Sequence, residues 1–250
     1  MPFPNTVTAS PGGITNCSPQ QTLAAFGGCD PTWGSVYAND FHTYLASDFA
    51  FTRVGSGTTA LTPFDGGALL STNTAGATDA TIQQLAVASF KWAPNHELFF
   101  KWSGQLSEVT NNTFYVGFMT TSATPLTGAD GVYLLKASGA ATFSLVTVIG
   151  GVTTTTPLPT TLTPVANTTF ELGIHIDPQG NVEAFFNPTT GNTRTDKSAL
   201  QQYPKGSVVK VLATSTTSIT QALLNPTVGF VNTSAASRTV LTDFLVAVKD

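Results

Sequence analysis

The stretch Phe170–Asn187, FELGIHIDPQGNVEAFFN, decides the fold. Phe170, Leu172, Ile174 and Ile176 occupy alternate positions, with Glu171, His175 and Asp177 between them. A period of two puts the apolar set on one face of a strand and the polar set on the other. Asp177-Pro178-Gln179-Gly180-Asn181 then supplies turn chemistry, with proline pre-setting φ and glycine free to take a positive value. The alternation resumes through Val182, Ala184 and Phe186. The stretch predicts a β-hairpin inside an antiparallel sheet.

Working outward, the same style of writing recurs. Phe49–Val54 and Gly67–Ser71 read as short strands. Ala86–Trp92 and Glu97–Leu106 read as a second hairpin turning at Ala93-Pro94-Asn95-His96. Leu98, Phe100 and Trp102 share one phase of Glu97–Leu106, and Phe99, Lys101 and Ser103 the other. Further strands are expected at Thr113–Thr121, Val132–Lys136, Thr142–Ile149, Val208–Ala213, Thr227–Val231 and Thr239–Val248. The Thr- and Pro-rich run Gly151–Thr163 reads as an extended loop or an edge strand, and Thr193–Pro204 holds one helical turn. About a dozen short strands with almost no helix predict an all-β chain folded as a two-sheet sandwich.

The N-terminal 36 residues differ. Five prolines from Pro2 to Pro31 and several glycines break any sustained alternation, and a capped turn at Ser18–Phe26 ends at Gly27-Gly28. Phe3, Leu23, Phe26 and Trp33 have little use in a solvated tail, so Met1–Val36 is read as an arm that docks on a partner. Residues 37–250 form the sandwich domain.

Composition narrows the function. Only 10% of the 250 residues are charged, well below the usual quarter, while 41% are hydrophobic. Thr, Ser, Ala and Gly fill the difference, which suits a protein held in an assembly better than one kept soluble by charge. The net charge of −4 comes with no basic cluster, which argues against nucleic-acid binding. No apolar run is long enough for a membrane span, and the N-terminus has no signal-peptide pattern. Cys17 and Cys29 read as plain thiols of a chain made in a reducing cytosol, and no histidine is spaced to join them around a metal. The three Asn-X-Thr/Ser sequences, at Asn111, Asn167 and Asn232, are the chance matches of a Thr-rich chain.

The order of elements resembles a known family. Glu97–Leu106, Phe114–Phe118, Gly131–Leu134, Ile174–Phe186, Leu224–Phe230 and Thr239–Val246 follow the series of the concanavalin A-like jelly-roll domains in tailed-bacteriophage structural proteins. The P-x-x-G-x-x-N segment that precedes the last strand in that family is matched by Pro226–Asn232. The aspartate–aromatic pair of that strand is matched by Asp243-Phe244. The likeness spans Asp40–Asp250. It implies a virion component made in the host cytoplasm, most specifically a capsid decoration protein. Such a protein binds the major capsid protein or another virion protein, or assembles with itself.

The same architecture carries lectins and glucanases, so each chemistry was sought in the residues. The alternating carboxylates of a retaining glucanase, E-x-D-x-x-E, do not occur. Asp177 lies in a turn, which argues against pairing it with Glu183 for catalysis. Asp177, Asn181, Asn187 and His175 come nearest to a lectin metal cluster, but a turn of Asp and Asn ordinarily satisfies its own backbone. No metal, cofactor or catalytic residue is expected. Phe99 and Tyr115 stand opposite the core phase of their strands, and are the candidates for an exposed contact or a sugar platform. The reading is therefore non-enzymatic: a decoration protein first, a carbohydrate-binding fibre domain as its rival, and a glycoside hydrolase as a distant third.

Overall fold

In a computed structural model, which describes residues 35–64, 67–159, 163–188, 209–213 and 219–249, Phe170–Asn187 forms the expected hairpin. Its strands pair from Phe170 opposite Pro188 to Ile176 opposite Val182. The turn closes with Asp177 N–H on the Asn181 carbonyl at 3.0 Å and Gly180 N–H on the Asp177 carbonyl at 2.9 Å. Gly180 takes φ +86°, a region that side-chain-bearing residues avoid.

The described strands, in chain order, begin with β1 (Ser35–Asn39), β2 (Phe49–Val54), β3 (Thr58–Thr62), β4 (Ala68–Asn73) and β5 (Ala80–Leu85). The middle of the chain supplies β6 (Leu98–Leu106), β7 (Asn112–Met119), β8 (Gly131–Lys136), β9 (Ser144–Ile149) and β10 (Val152–Pro157). β11 (Phe170–Ile176), β12 (Val182–Pro188), β13 (Val209–Ala213), β14 (Asn225–Asn232) and β15 (Arg238–Lys249) complete the set, and one short helix, α1 (Pro125–Gly128), precedes β8. They make two antiparallel sheets. The first runs β13-β12-β11-β6-β15-β4-β3, with β1 also paired to β15; the second runs β10-β9-β8-β7-β14-β5-β2. This is a concanavalin A-like jelly-roll sandwich.

The core lies between the sheets, on the phase that alternation assigned to it. Phe100 and Trp102 are buried, with Trp102 fully so and its Nε1–H donating to Thr242 Oγ1 at 3.1 Å. Trp102 meets Phe114 of the opposite sheet at 5.0 Å and Phe170 at 5.2 Å, and Phe143 and Phe186 extend this aromatic stack. Such tilted contacts suit the ring quadrupoles and bury large apolar areas.

One irregularity keeps β15 in register with this core. Val240 and Thr242 face inward before Asp243, and Leu245 and Ala247 after it. The pairing with β6 shifts between Thr242 and Phe244, so Asp243 is the extra residue of a bulge that exchanges the inward phase from even to odd positions.

Three expectations need correction. Ala86–Trp92 is not a strand: the strand is β5, just before it, and only Phe90 bridges, to Leu224. Glu97–Leu106 therefore has no hairpin partner there, and β5 and β6 lie in different sheets. β5 reads ATIQQL, and its adjacent glutamines, both buried, erase the polar–apolar alternation that marks a strand. The third correction concerns β1 and β3, which the sequence did not announce; β1 begins at Ser35, so Ser35 and Val36 belong to the sheet rather than to the arm. Gly151–Thr163 resolves in part, since β10 is an edge strand. Cys17, Cys29, the arm residues Phe3, Leu23, Phe26 and Trp33, and the turn at Thr193–Pro204 lie outside the described residues.

Candidate functional site

An antiparallel sandwich usually presents polar outer faces to water. Here both outer faces are largely buried, and they hold the two aromatic residues singled out above. Phe99 and Tyr115 do point away from the core, but neither is exposed, at 5% and 1%. The expectation of an open platform on these rings is corrected accordingly.

On the first sheet, Phe99 stacks on His175 of β11 at 4.2 Å, because the two residues are register partners. His175 Nδ1 lies 3.2 Å from Glu183 of β12 and its Nε2 lies 3.5 Å from Glu97. Two residues along, the Lys101 ammonium sits 3.2 Å from Glu171 and 4.9 Å from the centre of the Phe244 ring. This face is a laced set of polar contacts over aromatic rings. Its carboxylates are engaged with Lys101 and His175, so it is organised for cohesion. Asp177 is likewise committed: its carboxylate accepts from Gln179 N–H at 2.9 Å, Asn181 N–H at 2.8 Å and Asn181 Nδ2 at 2.7 Å. Partial burial pushes its pKa up, but these bonds outweigh it and hold the group below the ordinary carboxylate value. The turn satisfies its own backbone, as its composition implied.

On the second sheet, Tyr115 and Tyr133 meet edge to face at 6.4 Å within an apolar cluster of Ile82, Met119, Ala129, Val146 and Val148. α1 lays Leu126 on this cluster. Tyr115 can lie flat because its register partner is Gly229; a Cβ there would stand 2.2 Å from the Tyr115 Cζ. Burial pushes the Tyr115 phenol well above its ordinary pKa, and Tyr133 adds to the shift. Both tyrosines are therefore neutral packing groups at physiological pH.

What remains open is an edge. β10, VTTTTP, borders the second sheet and is exposed along nearly its whole length, with no charged residue in it. It is held to β9 by a two-residue turn, Gly150-Gly151, at φ +56° and +79°. The Asp130 carboxylate accepts both turn N–H groups, at 3.0 and 3.3 Å. In such a hairpin the pair next to the turn, Ile149 and Val152, is hydrogen-bonded, and pairs alternate from there. The N–H and C=O groups of Thr153 and Thr155 thus point away from β9, and among the described residues no strand pairs with them. The large exposed apolar side chains among the described residues are aliphatic: Leu45, Val54, Leu61, Val87, Val152, Val165 and Leu223. Among those residues there is also no cluster of His, Cys, Asp and Glu fit for a metal, and no helix long and apolar enough to cross a membrane.

Among the buried polar groups that sequence reasoning overlooked is Lys136, which is 1% exposed. Its signal was available, since Val132, Leu134 and Lys136 share the inward phase of β8.

No protein-family model and no curated protein sequence matches this chain. Similarity appears among solved structures. An endo-β-1,4-glucuronan lyase from the fungus Trichoderma reesei superposes with a TM-score of 0.58 at 12% identity, over 84% of this chain and 94% of that one. A protein of unknown function from Shewanella oneidensis MR-1 gives 0.57 at 11% identity, over 86% and 85%. Peanut lectin gives 0.54 at 9% identity, over 87% and 97%. These structures share the concanavalin A-like fold with this chain, none of them is described as a virion protein, and at such identities the likeness is one of fold.

Proposed function

We propose that the chain is a non-enzymatic docking module that joins a protein assembly, in its sharpest form a decoration protein on a viral capsid. The observation that carries this reading is the open β10 edge, uncharged, threonine-rich and backed by a sheet buried on both faces. Natural proteins normally blunt such an edge with lysine, proline or a covering segment, because unpaired N–H and C=O groups recruit another strand. The aliphatic surface residues and the low charge suit the same task. The arm, with Phe3, Leu23, Phe26 and Trp33, supplies a second anchor.

Carbohydrate binding is the second reading, favoured by the fold shared with peanut lectin. It lacks an exposed aromatic among the described residues on which a sugar ring would stack. Co-sedimentation with assembled, undecorated phage capsids separates the two. Saturable binding is expected, weakened by Thr155→Lys at least about tenfold, the loss of one good hydrogen bond or more. Deleting residues 1–34 removes the arm and spares β1, and is expected to weaken binding further. No binding to shells, with specific binding on a glycan array, would overturn the proposal in favour of the lectin reading.

A further inference from the structure

Two buried polar groups at one end of the sandwich lack the partners that burial requires. Lys136, the last residue of β8, points into the core with Leu134 and Val132. Its Nζ has one long bond, to the Ala137 carbonyl at 3.4 Å. Asn112, the first residue of β7, shares the inward phase of Phe114, Val116 and Phe118 and is fully buried. Neither its Nδ2 nor its Oδ1 has a hydrogen-bond partner. Native interiors rarely leave an amide wholly unpaired, and a buried ammonium with so little compensation is strongly unfavourable.

The two groups are neighbours. β7 and β8 pair antiparallel with Phe114 opposite Lys136, so Asn112 is the next inward residue along the same face. Diagonal neighbours on a sheet face stand about 7–8 Å apart at Cα, within reach of long side chains. The Lys136 side chain runs toward that end of the strand, where the Ala137 carbonyl lies. Burial lowers the pKa of the amine, which favours the neutral, nucleophilic form, and the Glu108 charge partly opposes this. Glu108 sits in the loop before β7, with its Oε1 held by the N–H groups of Val109 at 2.9 Å and Thr110 at 2.6 Å and its Oε2 3.7 Å from the Arg238 guanidinium, so it does not pair with the amine.

We propose that Lys136 and Asn112 join in an intramolecular isopeptide bond between β7 and β8. The Nζ lone pair attacks Asn112 Cγ to form the new C–N bond. The bond from Cγ to Nδ2 then breaks. One proton moves from Nζ to Nδ2, which leaves as ammonia. Amine and carboxamide give a secondary amide and ammonia, so no oxidant or cofactor is needed. The product resolves both anomalies at once: the buried charge disappears, and the orphan amide becomes part of a link between adjacent strands.

Intact-mass spectrometry of the purified full-length chain tests this directly. The expected mass is about 17 Da below that of the sequence, the mass of one ammonia. Proteolysis is expected to yield one branched peptide containing Lys136 and Asn112. Lys136→Arg and Asn112→Ala are each expected to show the full mass of their own sequence. A wild-type chain of full mass would overturn the proposal. So would the same loss with Lys136 and Asn112 on separate peptides, since that identifies a succinimide at an asparagine.

Discussion

Gly229 shows how much of a sheet face one residue can decide. Because it lacks a Cβ, the Tyr115 ring lies across β14 and closes the outer cluster of the second sheet. Gly229→Ala sets a methyl against that ring and is expected to destabilise the fold by about 1–3 kcal/mol, as overpacking does. Equilibrium urea denaturation checks this. The same change in a Tyr115→Ala background is expected to show less than about 1 kcal/mol, because the clash is a pairwise coupling. The sequence revealed that Tyr115 faces away from the core, but not that it is covered. The residue that permits the covering lies on β14, far along the chain, and no local pattern announces it. Phe99 is parallel: its phase was legible, while the His175 that stacks on it comes from another strand.

At the scale of elements, the hairpin β11–β12 was the most legible part of the chain, because strict alternation and turn chemistry agree there. Its turn is also where charge contributes. Three hydrogen bonds hold the Asp177 carboxylate, so its folded pKa lies below the unfolded value of about 3.9. A group shifted down in this way contributes stability that is fully present above the unfolded pKa and is lost as the pH falls through the folded one. Asp177→Asn keeps an acceptor oxygen and removes the charge. It is expected to lower stability by about 1–2 kcal/mol at pH 7, in line with charged hydrogen bonds. The difference is expected to vanish toward pH 2, as read by urea unfolding at both pH values. By contrast β5 was illegible. Gln84 looks like a surface residue, yet its Nε2 donates to Thr227 Oγ1 at 3.0 Å and its Oε1 accepts from Ser122 N–H at 3.0 Å. Long-range polar satisfaction of this kind leaves no trace in the spacing of residues.

For the whole molecule, alternation sufficed for two sheets with a core between them, and the order of strands carried the jelly-roll resemblance. It did not foresee that the outer faces would also be packed. That packing moves the candidate site from the faces to the rim, where β10 offers Thr153 and Thr155 with their backbone groups turned outward. Amide hydrogen exchange, compared between the free protein and the protein bound to capsid shells, tests docking through this edge most directly. The N–H groups of Thr153 and Thr155 are expected to exchange freely in solution and to gain protection in the complex, as a new strand pairs with them. Bound protein in which these amides exchange as fast as in the free state would contradict it.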